Sequence, residues 1–113
     1  MAEYKYQDIL IENGDVMLDA GRNPILIQDR AVIAQDTKHA IIESNLAVDL
    51  IAERSPSKKA DIRTKLELLV EEDVRLVPGT VRLEEPTEGT IYVFATTIDF
   101  GDMQFEIVNN GER

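Results

Sequence analysis

Apolar residues near the N-terminus form short runs separated by turn residues, a pattern that predicts β-strands. The runs at 8–12 and 16–19 flank Asn13 and Gly14, a pair that accepts the positive φ angles of a type I′ turn. A third run, 24–27, begins with a proline, which has no N–H to donate and therefore belongs at a sheet edge or at the start of a strand. We predict an N-terminal hairpin followed by a strand that either lies at a sheet edge or starts at the proline.

A second group of strands is predicted near the C-terminus. Apolar and polar residues alternate over 80–84, and a loop is expected over 85–89, where proline and glycine occur. A long strand over 90–100 and its partner over 103–108 flank Gly101 and Asp102, which suit a two-residue hairpin turn. We expect these strands to complete one antiparallel sheet with the N-terminal hairpin.

Helical periodicity is confined to the middle of the chain. Apolar residues recur at helical spacing over 29–44, where Asp29 is expected to cap the helix by accepting hydrogen bonds from first-turn N–H groups. A second helix is predicted over 56–73, because Ser55 is a favourable N-cap and Pro56 occupies the first helical position. The residues expected to pack against the sheet are Ile33, Ile41, Ile62, Leu66 and Leu69.

The segment 45–54 between the two helices has an ambiguous pattern. Its apolar residues are numerous enough for burial, but the run is short and Asn45 could end the first helix. Helical segments between two groups of strands predict an α+β fold rather than a βαβ repeat. We expect a single domain over 1–113, with a core over about 8–108, a frayed tail over 109–113, and two helices packed on one face of an antiparallel sheet.

The composition argues against several functional classes. Twelve basic and 22 acidic residues give a net charge of −10, which disfavours nucleic-acid binding because phosphates are bound by clustered lysine and arginine. No apolar run is long enough to span a membrane, and no signal peptide is recognisable. The absence of cysteine removes disulfides and thiolate chemistry. The acidic surface is expected either to be simply solvated or to favour a basic protein partner.

No catalytic motif is recognisable in the sequence. His39 is the only histidine and is expected to be a solvated side chain. An acid–base hydrolase would draw its two carboxylates from Glu71, Glu72 and Asp73 and from Glu84 and Glu85, and changing Glu72 or Glu85 to glutamine would test this. Adjacent solvated acids do not build the apolar pocket that such a pair needs. We therefore expect no enzymatic activity, no metal or other cofactor, and no small-molecule substrate.

The charges at both ends of the second predicted helix oppose the helix dipole. Lys58 and Lys59 lie in the first turn, and the acids Glu71, Glu72 and Asp73 lie in or beside the last. Each exposed charge placed this way costs about 0.3–1 kcal/mol. Two interpretations remain open: the chain tolerates small penalties, or the acidic end is retained for a partner.

Three segments, taken in order, resemble a known family. They are residues 32–36 (Val-Ile-Ala-Gln-Asp), 77–81 (Val-Pro-Gly-Thr-Val) and 95–101 (Ala-Thr-Thr-Ile-Asp-Phe-Gly). Their order and spacing resemble the baseplate wedge family of contractile tails, which includes the gene-25 product of T-even phages, the Mu-like prophage baseplate protein and the TssE component of type VI secretion. The resemblance covers roughly residues 8–108.

The resemblance implies a structural role and a contact site. Many members carry a Glu-Pro-Arg motif after the second helix; here the matching stretch is Glu72, Asp73, Val74 and Arg75, with valine in place of proline. The family role would give Glu72, Asp73 and Arg75 contacts with neighbouring wedge proteins. It would also make the protein a sheath initiator, joining the wedge to the first ring of the tail sheath protein. The implied location is the tail baseplate of a virion assembled in the bacterial cytoplasm.

Two alternatives from other classes stay open. The first is a soluble regulatory adaptor of the same fold, because the anti-adaptor IraD also resembles this pattern and binds a response-regulator receiver domain. The second is the small hydrolase that would act through paired carboxylates.

Two alternatives also stay open for Arg75. If its side chain is exposed and contacts a partner, replacement by alanine would change stability by less than about 1 kcal/mol. If it pairs locally with Glu71 at i, i+4, it would have no assembly role.

Overall fold

The computed structural model describes residues 4–108, so the tail predicted for 109–113 lies outside the described residues. The elements are β1 (Gln7–Ile9), β2 (Ile11–Glu12), β3 (Asp15–Val16), β4 (Leu26–Gln28), α1 (Arg30–Ser44), α2 (Leu46–Ala52), α3 (Pro56–Glu71), β5 (Arg82–Thr87), β6 (Thr90–Thr97) and β7 (Gly101–Val108). The strand pairs are antiparallel and the helices lie together in the middle of the chain, which confirms the α+β class. None of the helices within 4–108 combines the length and apolar character needed to cross a membrane.

Residues 4–28 form an elongated β structure that we call the N-terminal arm. In its β2–β3 hairpin, Glu12 pairs with Asp15, so the loop consists of Asn13 (φ 52°) and Gly14 (φ 81°). Positive φ at both positions confirms the predicted primed turn. The run beginning at Pro24 supplies β4, which pairs with β1. No residue of the arm is fully buried.

The C-terminal strands form a separate three-stranded sheet in the order β5-β6-β7, so the prediction of one sheet joining both groups is wrong. The predicted two-residue turn at Gly101 and Asp102 is also wrong, because Thr97 pairs with Gly101 and leaves a three-residue loop over 98–100. The Thr97 hydroxyl accepts from the Phe100 N–H and donates to the Gly101 carbonyl, while Gly101 adopts φ 81°. Glycine at this left-handed position is what a three-residue hairpin loop requires.

Strand β5 extends through the segment predicted as a loop. It runs to Thr87, and only Glu88 and Gly89 connect it to β6. Pro86 is tolerated because β5 is an edge strand and the register shifts between Glu84 and Thr87. The predicted loop over 85–89 is therefore wrong in extent.

The helical segment contains three helices, because the ambiguous stretch after Asn45 forms α2. Asn45 adopts φ 64°, which ends α1, and α2 begins at the next residue. Ser55 caps α3 as predicted, its Oγ accepting from the Lys58 N–H at 3.4 Å. Asp29 occupies the N-cap position of α1 but does not cap it: its Oδ1 instead accepts from the backbone N–H groups of Lys5 (2.8 Å) and Tyr6 (3.0 Å). The carboxylate thus attaches the arm to the start of the helix.

The core lies between the helices and one face of the C-terminal sheet. Ile33, Ile41 and Leu66 are completely buried, as predicted, whereas Ile62 and Leu69 are only partly buried at its margin. Strand β6 alternates strictly, so its inward residues are buried and the residues between them face outward. The inward residues of the sheet are Leu83, Ile91, Val93, Ala95, Met103 and Ile107.

Candidate protein-interaction site

The candidate site is the 72–75 loop, which follows the last residue of α3. Glu72 is the C-cap of α3 and keeps helical backbone angles, and the Asp73 N–H donates to the Val70 carbonyl at 3.1 Å. The Leu76 N–H then donates to the Asp73 carbonyl at 3.2 Å, and Leu76 is buried in the core. Both ends of the loop are thereby fixed to the body of the protein.

Arg75 and Asp73 form a bidentate ion pair within this loop. Arg75 Nε donates to Asp73 Oδ1 at 2.9 Å and Nη2 donates to Oδ2 at 2.6 Å. The Arg75 backbone N–H also donates to Asp73 Oδ1, at 2.9 Å. The planar guanidinium matches a carboxylate in this way, which a lysine could not reproduce. Only 22% of the Arg75 side chain and 19% of the Asp73 side chain are exposed, so solvent screens the pair weakly.

Arg75 also joins parts of the chain that are distant in sequence. Its Nη2 lies 3.2 Å from Oδ2 of Asp36 on α1, and its guanidinium lies 5.2 Å from the ring centroid of Tyr6 in the arm. The Tyr6 ring in turn contacts Phe100 edge-on, and the Arg75 carbonyl accepts from the Ile98 N–H. Sequence reasoning missed Asp36 and Tyr6 as partners, since no spacing rule relates them to Arg75.

These contacts correct the local pairing considered for Arg75. Glu71 does not pair with it; Glu71 Oε2 accepts from the Gly79 N–H at 3.0 Å. The charge at the opposite end of α3 is also partnered, because Lys59 Nζ bonds Glu85 Oε1 (2.9 Å) and the Leu50 carbonyl (2.8 Å). Lys59, Glu71 and Asp73 therefore have structural partners that offset their unfavourable positions on the helix dipole. Glu85 is accordingly an ion-pair residue of the sheet edge.

The hydrogen bonds from the Arg75 side chain lower the pKa of Asp73, although its partial burial acts in the opposite direction. A lowered pKa means that Asp73 stabilises the folded state fully above its unfolded pKa of about 3.9, and that this contribution is lost as the pH falls through the folded value. We expect Asp73→Asn to reduce the free energy of unfolding at pH 7 and to have a smaller effect near pH 3. Denaturant titrations at both pH values measure this.

The control for this pH dependence is Asp61→Asn. Asp61 is 71% exposed and pairs at 3.5 Å with Lys65, so its replacement is expected to change stability little at either pH. An Asp73→Asn effect of the same size at pH 7 and pH 3 would contradict the assignment of a stabilising charge to Asp73.

Val74 projects from this fixed loop into solvent. It is 85% exposed, the highest value among the large apolar residues of the described chain, and Glu72 beside it is also exposed. A shallow groove of about 400 Å³ runs between the loop and α1, lined by Asp36, Thr37, Ala40, Leu69 and Val70 besides the loop itself. The loop therefore presents an exposed valine next to a shallow groove and acidic side chains.

The described residues contain no group of three His, Asp or Glu side chains placed to hold a metal ion. His39 is partly buried beside a second groove, between the arm and α1, where Lys38 and Glu43 also lie. Nothing in this surrounding assigns it a chemical role.

Comparison with known proteins identifies relatives. The sequence profile of the family described as "Protein of unknown function (DUF2590)" matches residues 7–106, which include the arm and the 72–75 loop. The chain is 50% identical over 99 residues to a protein of Haemophilus phage HP1 (strain HP1c1), an alignment that covers 88% of this chain and 89% of the relative. The relative is described as "Uncharacterized 12.7 kDa protein in lys 3'region". No solved protein structure matches the chain.

Proposed function

The chain belongs to the DUF2590 family and is related to a phage protein, and from this premise we propose that its role is structural. It is a component of the baseplate wedge of a contractile tail and links the wedge to the first ring of sheath subunits. It acts through protein–protein contacts, without catalysis or a cofactor, and its place is the tail baseplate of the virion. The phage relative and the resemblance of segments 32–36, 77–81 and 95–101 to wedge proteins support this proposal.

The observation that carries the proposal is the presentation of Val74 on a rigid loop. The resemblance to wedge proteins implies that Glu72, Asp73 and Arg75 are the contact residues. In the structure, Asp73 and Arg75 bind each other and fix the loop. Glu72 and Val74 are exposed to solvent and are free to contact a partner. A loop ordered before binding loses little conformational entropy on contact, which favours a specific assembly interface.

Val74→Asp tests the proposal. The substitution places a charge in the proposed contact but removes no intramolecular packing, since Val74 is 85% exposed. We expect stability to change by no more than about 0.5 kcal/mol and incorporation into tails to fail. Thermal unfolding of the purified variant measures the first. Electron microscopy of particles and mass spectrometry of purified tails, in cells producing phage with the variant as the only copy, measure the second.

Val48→Asp on α2 is the matched control, because Val48 is an exposed valine outside the loop. It is expected to incorporate normally. Normal tails with Val74→Asp would overturn the assignment of the loop to the wedge contact. Absence of the wild-type protein from purified tails would overturn the baseplate role as a whole, and stable copurification with a receiver domain would replace it with the adaptor.

A further inference from the structure

The N-terminal arm carries apolar residues at both alternating positions of its strands. Three uninterrupted runs occur, at 9–11, 16–18 and 24–27. An antiparallel strand with one face in water usually alternates between apolar and polar residues, whereas a continuous apolar run is typical of a strand covered on both faces. The sequence therefore has the pattern of a β structure with two covered faces.

One of these faces is covered by the protein itself. Leu10, Met17 and Ile25 are partly buried, and their backbones bond one another: Met17 N–H to the Leu10 carbonyl (3.0 Å), Leu10 N–H to Ile25 (2.7 Å) and Ile25 N–H to Met17 (2.9 Å). Helix α1 fixes this part of the arm, because the Gln35 amide accepts from the Ile11 N–H and donates to the Ile9 carbonyl. The alternate positions point away from these residues.

The other face of the arm is covered only in part within the described chain: Ile9 and Ile11 are partly buried near α1, and the remaining positions are exposed. Strand pairing places Ile11 opposite Val16, Leu18 opposite Pro24 and Ile9 opposite Leu26, and directly paired residues share a face. We call these six residues the outer arm face. Val16, Leu18 and Leu26 are each 48–49% exposed. An apolar patch of neighbouring side chains on an otherwise acidic protein is typical of a surface that binds a partner.

The charges around the outer arm face define the chemistry of that partner. Glu12 and Asp15 lie directly opposite each other beside the turn, a like-charge pair that destabilises a hairpin. Asp8 and Asp19 add two more acids, and Arg22 is the only basic residue of segment 7–28. A second copy of the chain, which has a net charge of −10, would place its acids against these acids, and the like charges would repel. A phosphate backbone or an anionic membrane would be repelled for the same reason.

We propose that the outer arm face docks a protein partner that presents an apolar strip bordered by lysine or arginine. Apolar contact with Val16, Leu18 and Leu26 supplies the binding surface, and pairing with Glu12 and Asp15 relieves their mutual repulsion and fixes the orientation. This surface shares no residue with the 72–75 loop, and the proposal goes beyond the baseplate role. A result that overturns the wedge contact of the 72–75 loop would therefore leave the proposal for the outer arm face in place.

Site-specific photo-cross-linking tests the proposal. Benzoylphenylalanine replaces Leu18 in the full-length protein, in cells that carry the gene and produce phage, and the cross-linked peptides are sequenced by mass spectrometry. The matched control carries the same probe at Val48, which is equally exposed on α2. We expect the Leu18 probe alone to capture one protein, through a peptide in which apolar residues are flanked by lysine or arginine.

Glu12→Lys separates binding from folding. It converts the Glu12–Asp15 pair into opposite charges, so the hairpin is expected to be at least as stable as before, as measured by thermal unfolding. Cross-linking from Leu18 is nevertheless expected to fall about tenfold or more, because the new charge faces basic groups of the partner. Three outcomes would overturn the proposal: capture of only another copy of this chain, yields no higher than those of the Val48 probe, or a yield that Glu12→Lys leaves unchanged.

Discussion

Replacing Leu66 with alanine is expected to lower the free energy of unfolding by about 2–5 kcal/mol, the range for removing a fully buried leucine side chain. Leu66 is completely buried near the centre of α3, in the hydrophobic core that residues of α1, α2 and the C-terminal sheet also form. The loss combines the transfer free energy of the removed atoms with the cost of the cavity that they leave in a close-packed core. Denaturant or thermal unfolding of the variant measures the loss.

The same helix provides the control. Leu68 lies two positions further along and is 60% exposed, so Leu68→Ala makes the same chemical change where much less packing is lost. Its effect on the free energy of unfolding is expected to stay within about 0.5 kcal/mol. Similar losses for Leu66→Ala and Leu68→Ala would show that α3 does not present the described face to the core.

Arg75→Ala is expected to lower the free energy of unfolding by about 1.5–3 kcal/mol, the contribution of hydrogen bonds made by a charged group. The substitution leaves the Asp73 carboxylate largely buried without its guanidinium partner, a more costly situation than the loss of a surface ion pair. It also removes the contacts with Asp36 and Tyr6. Stability should therefore change more than the sequence alone suggests for an exposed arginine, and chemical denaturation measures the difference.

Arg82→Ala is the control for this prediction. Arg82 also combines an ion pair with an aromatic contact, with Glu84 at 3.5 Å and Phe94 at 4.7 Å, but its side chain is 63% exposed. Its removal is expected to cost less than about 1 kcal/mol. Arg75→Lys should recover only part of the loss, because an ammonium group cannot make the bidentate contact. A fully stable Arg75→Ala protein would mean that the loop is held by its backbone alone.

Local sequence signals predicted the elements that depend on local chemistry. Asn13 and Gly14 form the primed turn because both accept positive φ, and Ser55 starts α3 because its hydroxyl accepts a first-turn N–H. The buried positions Ile33, Ile41 and Leu66 follow from helical periodicity. In each case, residues within a few positions of one another determine the outcome.

Features that depend on distant residues could not be predicted in this way. Aspartate is a favourable N-cap residue, but the carboxylate of Asp29 accepts hydrogen bonds from the backbone N–H groups of Lys5 and Tyr6, more than 20 positions away. Gly101 suits either a two-residue or a three-residue loop, and the side chain of Thr97 selects the longer one. Arg75 was identified as a site residue, yet its binding of Asp36 required the fold to bring positions 39 apart together.

The attachment of the arm has a consequence for the order in which the chain folds. Lys5 bonds Asp99 at 2.8 Å across 94 positions, whereas β6 and β7 pair across a three-residue loop. Closing a long loop costs more entropy than closing a short one, and contacts distant in sequence form slowly. During synthesis the arm leaves the ribosome long before Asp99 and Phe100, the partners of Lys5 and Tyr6, are translated. The runs of the arm that contact α1 can dock early, whereas Lys5 and Tyr6 must wait for most of the chain to be made.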